Sequence, residues 1–312
     1  MGVLKGTRSF YQYSISDEIA YNVQQWLEYG LIENGAYTNI GFDTNASGYA
    51  TLKRSYDPSL GNAGRVYEGI GPSWVWQSGV SVPTGRTAPY RASGVVVDGT
   101  FYSVNSAGAY AHTIDFANGR VVFDTAIDAT SVVKCQHVIN DVGIYLSNSP
   151  QWKTIIDQYV TKFDILDTLQ PSGISSILKS NRVWLPCIVV DVQERTQQGL
   201  QLGGGLSQSF AIFYHVFADN PGTNSALFDL LNDQQDKRLD FFNANTAPFP
   251  LDSTGAVSSG LKYNELAVPG GTYFLTYGYI NSSKGGFVGR GGDVFRGEVR
   301  QSILVDRYLS TI

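Results

Sequence analysis

SGVVVDGTFYSVNSAGAYAHTIDFANGRVVFDT, residues 93–125, places two tight-turn dipeptides among runs of β-forming residues. Gly94 to Val97 leads into Asp98-Gly99 and out through Thr100 to Val104. A type I′ turn needs positive φ at both central residues, which Asx-Gly supplies at low steric cost. Tyr110 to Phe116 then pairs back through Asn118-Gly119 with Arg120 to Phe123. The stretch reads as a β-meander. It predicts a mainly β protein with a few helices (α+β): an antiparallel β-sandwich or barrel built on that meander, with peripheral helices.

Upstream, Ser16 can cap a helix with Asp17 and Glu18 at its positive end, Ile19, Val23, Trp26 and Leu27 on one face, and Gly30 as its stop. That stripe packs onto its own domain or, in an assembling protein, docks on a neighbouring subunit. From Asn39 to Val82, short β-like runs such as Tyr49 to Tyr56 and Ser73 to Gln77 alternate with turn residues, and Asp57 to Asn62 reads as a loop. Trp74 and Trp76 share a face if their run is a strand. They then fill a sheet core, form an aromatic platform for a sugar, or anchor an interface.

Downstream, Ser131 to Val138 reads as a further strand. Ser149 and Pro150 open a second helix, with Trp152, Ile155, Ile156, Tyr159 and Phe163 on one side. Val183 to Gln193 and Phe210 to Ala218 are strands around a polar tip, Gln197 to Ser209, and Pro186 puts the first strand at a sheet edge or a bulge. Thr223 caps a third helix with Leu227, Leu230 and Leu231 on its apolar face. Thr272 to Ile280 is a strand, Asn281 to Gly292 a flexible Gly-rich stretch, and Val294 to Leu309 the closing strand. These elements divide the chain into an N-terminal segment, 1–38, carrying the amphipathic helix, and a β-rich core domain, 39–312, with two inserted helical segments.

Charged residues make up only 16% of the chain, against roughly 25% in soluble domains, and 19 Tyr accompany them, a balance suited to wide contacts with other proteins. A net charge of −5 provides no basic footprint, so sequence-specific nucleic-acid binding is not expected. The N-terminus lacks the apolar run of a signal peptide, and no segment approaches the ~20 apolar residues of a membrane span, so a soluble protein made in a cytoplasm is expected. Cys135 and Cys187 read as reduced, buried thiols.

The signatures of catalysis fall short one by one. Gly203-Gly204-Gly205 lacks the Lys-Ser/Thr of a phosphate-cradling loop. His112, His137 and His215 each fall within a predicted strand, so a metal triad would need three strands to converge. No Gly-x-Ser-x-Gly elbow occurs. Carboxylate pairs such as Asp115/Asp124 or Asp164/Asp167 arise by chance among 27 acids. No catalytic, cofactor or metal residue is therefore assigned. Lys284, Arg290, Arg296 and Arg300 form the most basic local patch, diluted by Asp293 and Glu298. The candidates for an interface are Trp26, Trp74, Trp76, Gly203, Gly204, Lys284 and Arg290.

At Ile114 to Thr125, and again at Phe213 to Ala218 followed by Asp233 to Lys237, the chain resembles virion structural proteins of tailed bacteriophages, in particular the neck or head–tail connector components of contractile-tailed phages. The resemblance implies a non-enzymatic subunit made in the host bacterial cytoplasm. Incorporated in the virion, it would assemble as a homo-oligomeric ring at the neck, between portal and tail. Its partners would be other virion proteins, the portal or connector and the tail tube or terminator. A carbohydrate- or receptor-binding tail module is the alternative, with Trp74 and Trp76 as its stacking surface.

Overall fold

The computed structural model describes residues 11–41, 49–56, 64–104, 106–149, 152, 155, 183–199, 205–291 and 294–308. Around the opening stretch, two four-stranded antiparallel sheets share one core. In the first, β2 (Ala50–Thr51), β9 (Val133–Cys135), β5 (Gly94–Val97) and β6 (Thr100–Ser103) lie side by side. The second runs β3 (Lys53–Arg54), β4 (Val66–Glu68), β8 (Arg120–Phe123) and β7 (His112–Asp115). Period-2 alternation sends Val95 and Val97 from one sheet, and Ile114, Val121 and Phe123 from the other, into a single buried cluster completed by Trp74, Tyr67 and Cys135. The fold class is thus mainly β, with a sandwich built around residues 93–125 from strands between Ala50 and Cys135.

The meander itself does not form. Asp98 and Gly99 make the expected tight turn, with φ of 48° and 87°, but β6 ends its sheet, and β7 and β8 belong to the opposite one. Two hairpins on facing sheets bury both apolar sides against each other, whereas a flat meander would leave one side without a partner. The Asn118-Gly119 turn also differs. Asp115 pairs directly with Arg120, and of the four residues between them only Gly119 takes positive φ, 64°. The Asp115 carboxylate holds this loop by accepting from Asn118 N (3.0 Å) and Nδ2 (2.8 Å).

The strand expected over Ser131 to Val138 is split at Gln136. β9 stays in the sandwich, and β10 (His137–Asn140) turns away to pair with β1 (Tyr37–Ile40).

The second half of the chain builds a six-stranded sheet in the order β11 (Gly143–Leu146), β12 (Cys187–Gly199), β13 (Gly205–Ala218), β16 (Val294–Tyr308), β15 (Phe274–Gly291), β14 (Arg238–Phe242). Only β11 and β12 run parallel. α1 (Ile15–Glu33) and α2 (Pro221–Asn232) contribute Ile19, Val23, Leu27, Leu31, Leu227 and Leu231 to the cluster that covers one face, against Ile188, Val190, Ile212, Tyr214, Val299 and Ile303. A short helix, α3 (Tyr263–Leu266), packs beside α1.

Several boundaries differ from those read in the sequence. α1 is capped by Ser14, whose hydroxyl accepts from Asp17 N, rather than by Ser16, and it continues through Gly30 to Glu33. An interior glycine costs about 1 kcal/mol relative to alanine. Burial of Leu31 and Ile32 just beyond Gly30 outweighs that cost, and the positive-φ stop falls at Gly35. α2 starts at Pro221 behind an Asn220 cap, whose side chain accepts from Thr223 N at 2.8 Å. The second expected helix lies largely outside the described residues, although Trp152 and Ile155 are helical.

Pro186 precedes β12, which lies between β11 and β13 rather than at the sheet edge. The Gln-rich stretch around 197–209 forms strand at both its ends, with Gln208 Nε2 donating to Gln197 Oε1 across the pair. Residues 281–291, expected to be flexible, belong to β15 in register with β16. Glycine serves close approach there. A Cβ on Gly285 would stand 2.9 Å from Val299 Cγ2 and 3.0 Å from Asn232 Nδ2 of α2.

Candidate functional site

Two features of the surface bring unlike chemistry together. The first is the face of the long sheet opposite α1 and α2. Cross-strand register places Asp191, Phe213, Arg300 and Lys284 in one row, and Val189, His215, Glu298 and Gly286 in the next. The Arg300 guanidinium lies 5.3 Å from the Phe213 ring centre. His215 has Glu298 Oε2 3.3 Å from Nδ1 and Asp191 Oδ2 3.9 Å from Nε2, while Arg296 Nη2 approaches Nδ1 at 3.4 Å. Trp152 stacks over the imidazole, with centroids 5.0 Å apart.

Burial, seconded by the Arg296 charge, lowers the His215 pKa from its ordinary value, and Glu298 and Asp191 oppose the shift. The two carboxylates flank opposite ring nitrogens, so they do not converge on one point in space. Ser147 Oγ donates to Asp191 Oδ1 at 2.7 Å rather than to His215, so this hydroxyl is not placed for activation by the imidazole. The geometry orders the face and ties β11 to the sheet.

His112 and His137 lie elsewhere. His112 rests against Phe123 in the sandwich, and His137 stacks on Trp74 at 4.0 Å. Among the described residues, no three His, Cys, Asp or Glu side chains gather into a set that could hold a metal ion.

The same sheet carries an open edge. β14 covers β15 only as far as Tyr279, and over residues 281–291 β15 pairs with β16 alone among the described residues. Phe287 and Val288 on this edge are 62% and 53% exposed. They adjoin a depression of about 410 Å³ between α2 and β15, lined in part by Phe228 and Phe295.

The second feature is a cavity of about 340 Å³ where α1, the sandwich and β11 meet. Helical spacing puts Tyr21, Gln24, Gln25 and Glu28 on its wall, and Trp74, Trp76, Phe116, Tyr145 and Phe249 line the remainder. Glu28 keeps some solvent contact as a residue, but its carboxyl end is enclosed. Burial pushes that carboxyl up to about 7, against the opposing effect of hydrogen bonds from Gln77 and Trp76.

The interface candidates are dispersed. Trp26 packs against the core of the long sheet, with Lys237 Nζ 5.5 Å from its ring. Trp74 and Trp76 are only 1% and 4% exposed. Both are core side chains of the sandwich, the first of the three readings open to them. Lys284 and Arg290 are exposed on β15, and Arg290 lies 5.0 Å from the Phe295 ring. Gly203 and Gly204 lie outside the described residues. Sequence reading passed over Glu28, whose signal is a second helical face, Tyr21, Gln24, Gln25 and Glu28, beside the apolar stripe.

No protein-family model matches this chain, and no curated protein matches it either.

Proposed function

We propose that this protein is a non-enzymatic structural subunit of a tailed-phage virion, joining with further copies in a ring at the neck, where portal meets tail. The observation that carries the reading is the open edge of β15. An unpaired strand edge is a template for another chain, and exposed Phe287 and Val288 beside it supply apolar area for such a contact. A ring needs a heterologous contact, one patch meeting a different patch on the next copy, and a strand edge left unpaired among the described residues supplies half of such a pair. The alternative, a carbohydrate- or receptor-binding tail module, takes Trp74 and Trp76 as its stacking surface, and with both rings buried no observation among the described residues favours it.

The test is placement in the particle. Cryo-electron microscopy of virions should show the chain as a ring at the neck, and Phe287→Asp should block its incorporation while leaving circular-dichroism melting unchanged. Virions that lack the chain, or that take up the Phe287→Asp protein normally, would overturn the proposal.

A further inference from the structure

The cavity at the base of α1 has a composition that the ring reading does not use. Among the described residues, its walls hold one acid, Glu28, and no Lys, Arg or His. Tyr21 and Phe249 supply aromatic surface around it, backed by the largely buried Trp76 and Phe116. The Trp76 and Gln77 side chains hold the carboxyl by hydrogen bonds, while Ser149 Oγ on the same wall has no hydrogen-bond partner among the described residues. The titratable groups lining the cavity besides Glu28 are the phenols of Tyr21 and Tyr145, and burial raises the Tyr21 phenol well beyond the neutral range.

A buried carboxyl with no cationic neighbour among the described residues is complementary to a guest that brings the missing charge. Aromatic walls favour the same guest, because ring faces attract cations and become more effective as water is excluded. A hydroxyl without a partner adds an acceptor for an ammonium N–H. The cavity also has room for a short aliphatic chain behind the charged head. We propose that this cavity is a binding site for an alkylammonium group, with Glu28 as its counter-ion.

Binding requires the carboxylate. A guest entering at neutral pH therefore displaces a proton from Glu28 to the buffer, and no covalent bond changes. The fraction of Glu28 ionised rises about tenfold between pH 6 and pH 8 for a group that titrates near 7, and apparent affinity rises by the same factor. The ammonium has two sources, a free amine or the lysine side chain of a neighbouring protein. They share one chemistry.

The experiment is isothermal titration of the full chain with n-butylammonium, with n-butanol as the neutral control. It is run at pH 6 and pH 8, and in buffers of different ionisation enthalpy to count released protons. Saturable binding of butylammonium, about tenfold tighter at pH 8, with proton release near pH 7 and at least tenfold weaker binding of butanol, is the expected result. Glu28→Gln, checked for native circular dichroism, should lose both the binding and the pH dependence. A parallel titration with Nα-acetyl-lysine methylamide separates the sources: binding assigns the site to a side chain, and its absence beside butylammonium binding assigns it to a free amine. No saturable butylammonium binding to the wild-type chain at pH 8, or equal binding of butanol, would overturn the proposal without reference to any variant.

Discussion

No strand of the sandwich exceeds four residues, whereas β15 and β16 of the long sheet run to 18 and 15. Short strands suit the sandwich because each sheet is the other's cover, and every apolar side chain on the inner faces meets one from across. Among the described residues, no second sheet covers the long one. Two helices cover part of one face, Trp152 and Ile155 cover a corner of the other, and the described strands run on past both. Where strand outlasts that cover, Phe287 and Val288 remain exposed. Among the described residues, one lobe thus closes on itself and the other leaves part of a strand edge uncovered.

That contrast can be broken most sharply by emptying the sandwich. Phe123 is fully buried, edge-on to Tyr67 at 5.6 Å, and Phe123→Ala should cost about 3–5 kcal/mol. Hydrogen exchange should then accelerate in β5 and β8 while β13 and β16 keep their protection. Equal acceleration in both lobes would show that they unfold as one unit.

A second test uses pH, because the sandwich and the α1 junction respond in opposite directions. Burial pulls His137 down to about 4, so the unfolded chain takes up that proton first, and stability is lost as pH falls from about 6.5 through 4. Glu28, raised to about 7, keeps its proton in the folded chain after the unfolded chain has released it. Its contribution is complete below about 4.5 and is lost as pH rises through 7. Each arm is worth at most about 3 kcal/mol. The two windows overlap, so the arms largely cancel in the wild-type chain and its urea midpoints should stay nearly level from pH 4 to 8, whereas Glu28→Gln should leave midpoints that climb from pH 4 to about 6.5.

The smallest expected effect sharpens the role of glycine in the long sheet. A Cβ on Gly297 would run into the Phe228 ring of α2, so Gly297→Ala should cost about 1–3 kcal/mol through displacement of the helix. Gly286, which has nothing within 4 Å of the same added atom, is the control, and Gly286→Ala should leave the urea midpoint nearly unchanged.

The parts of this fold that were legible are those set by nearest neighbours in the chain. Asp98-Gly99 announces its turn because only a few residues accept positive φ, and Val95/Val97 announce a half-buried strand by alternation. The error over β6 and β7 had a different source. Which sheet a hairpin joins is decided by the core it must share, and no local pattern encodes that partner. Residues 281–291 differ for the complementary reason: local glycine content argues for a loop, whereas nine pairings with β16, interrupted by a bulge at Val288, fix a strand. The cavity was illegible because Glu28 comes from α1 and its donors from a segment nearly 50 positions away, Trp76 and Gln77.

Each lobe also contains a single sulfur atom of cysteine, Cys135 in the sandwich and Cys187 at the start of β12, and both are wholly buried. Burial pushes the Cys135 thiol up to about 12 and raises Cys187 as well, so neither forms the reactive thiolate while its surroundings hold. The molecule therefore comes with one silent alkylation reporter per lobe. The time at which each becomes labelled records when that half of the chain first opens, without any engineered probe.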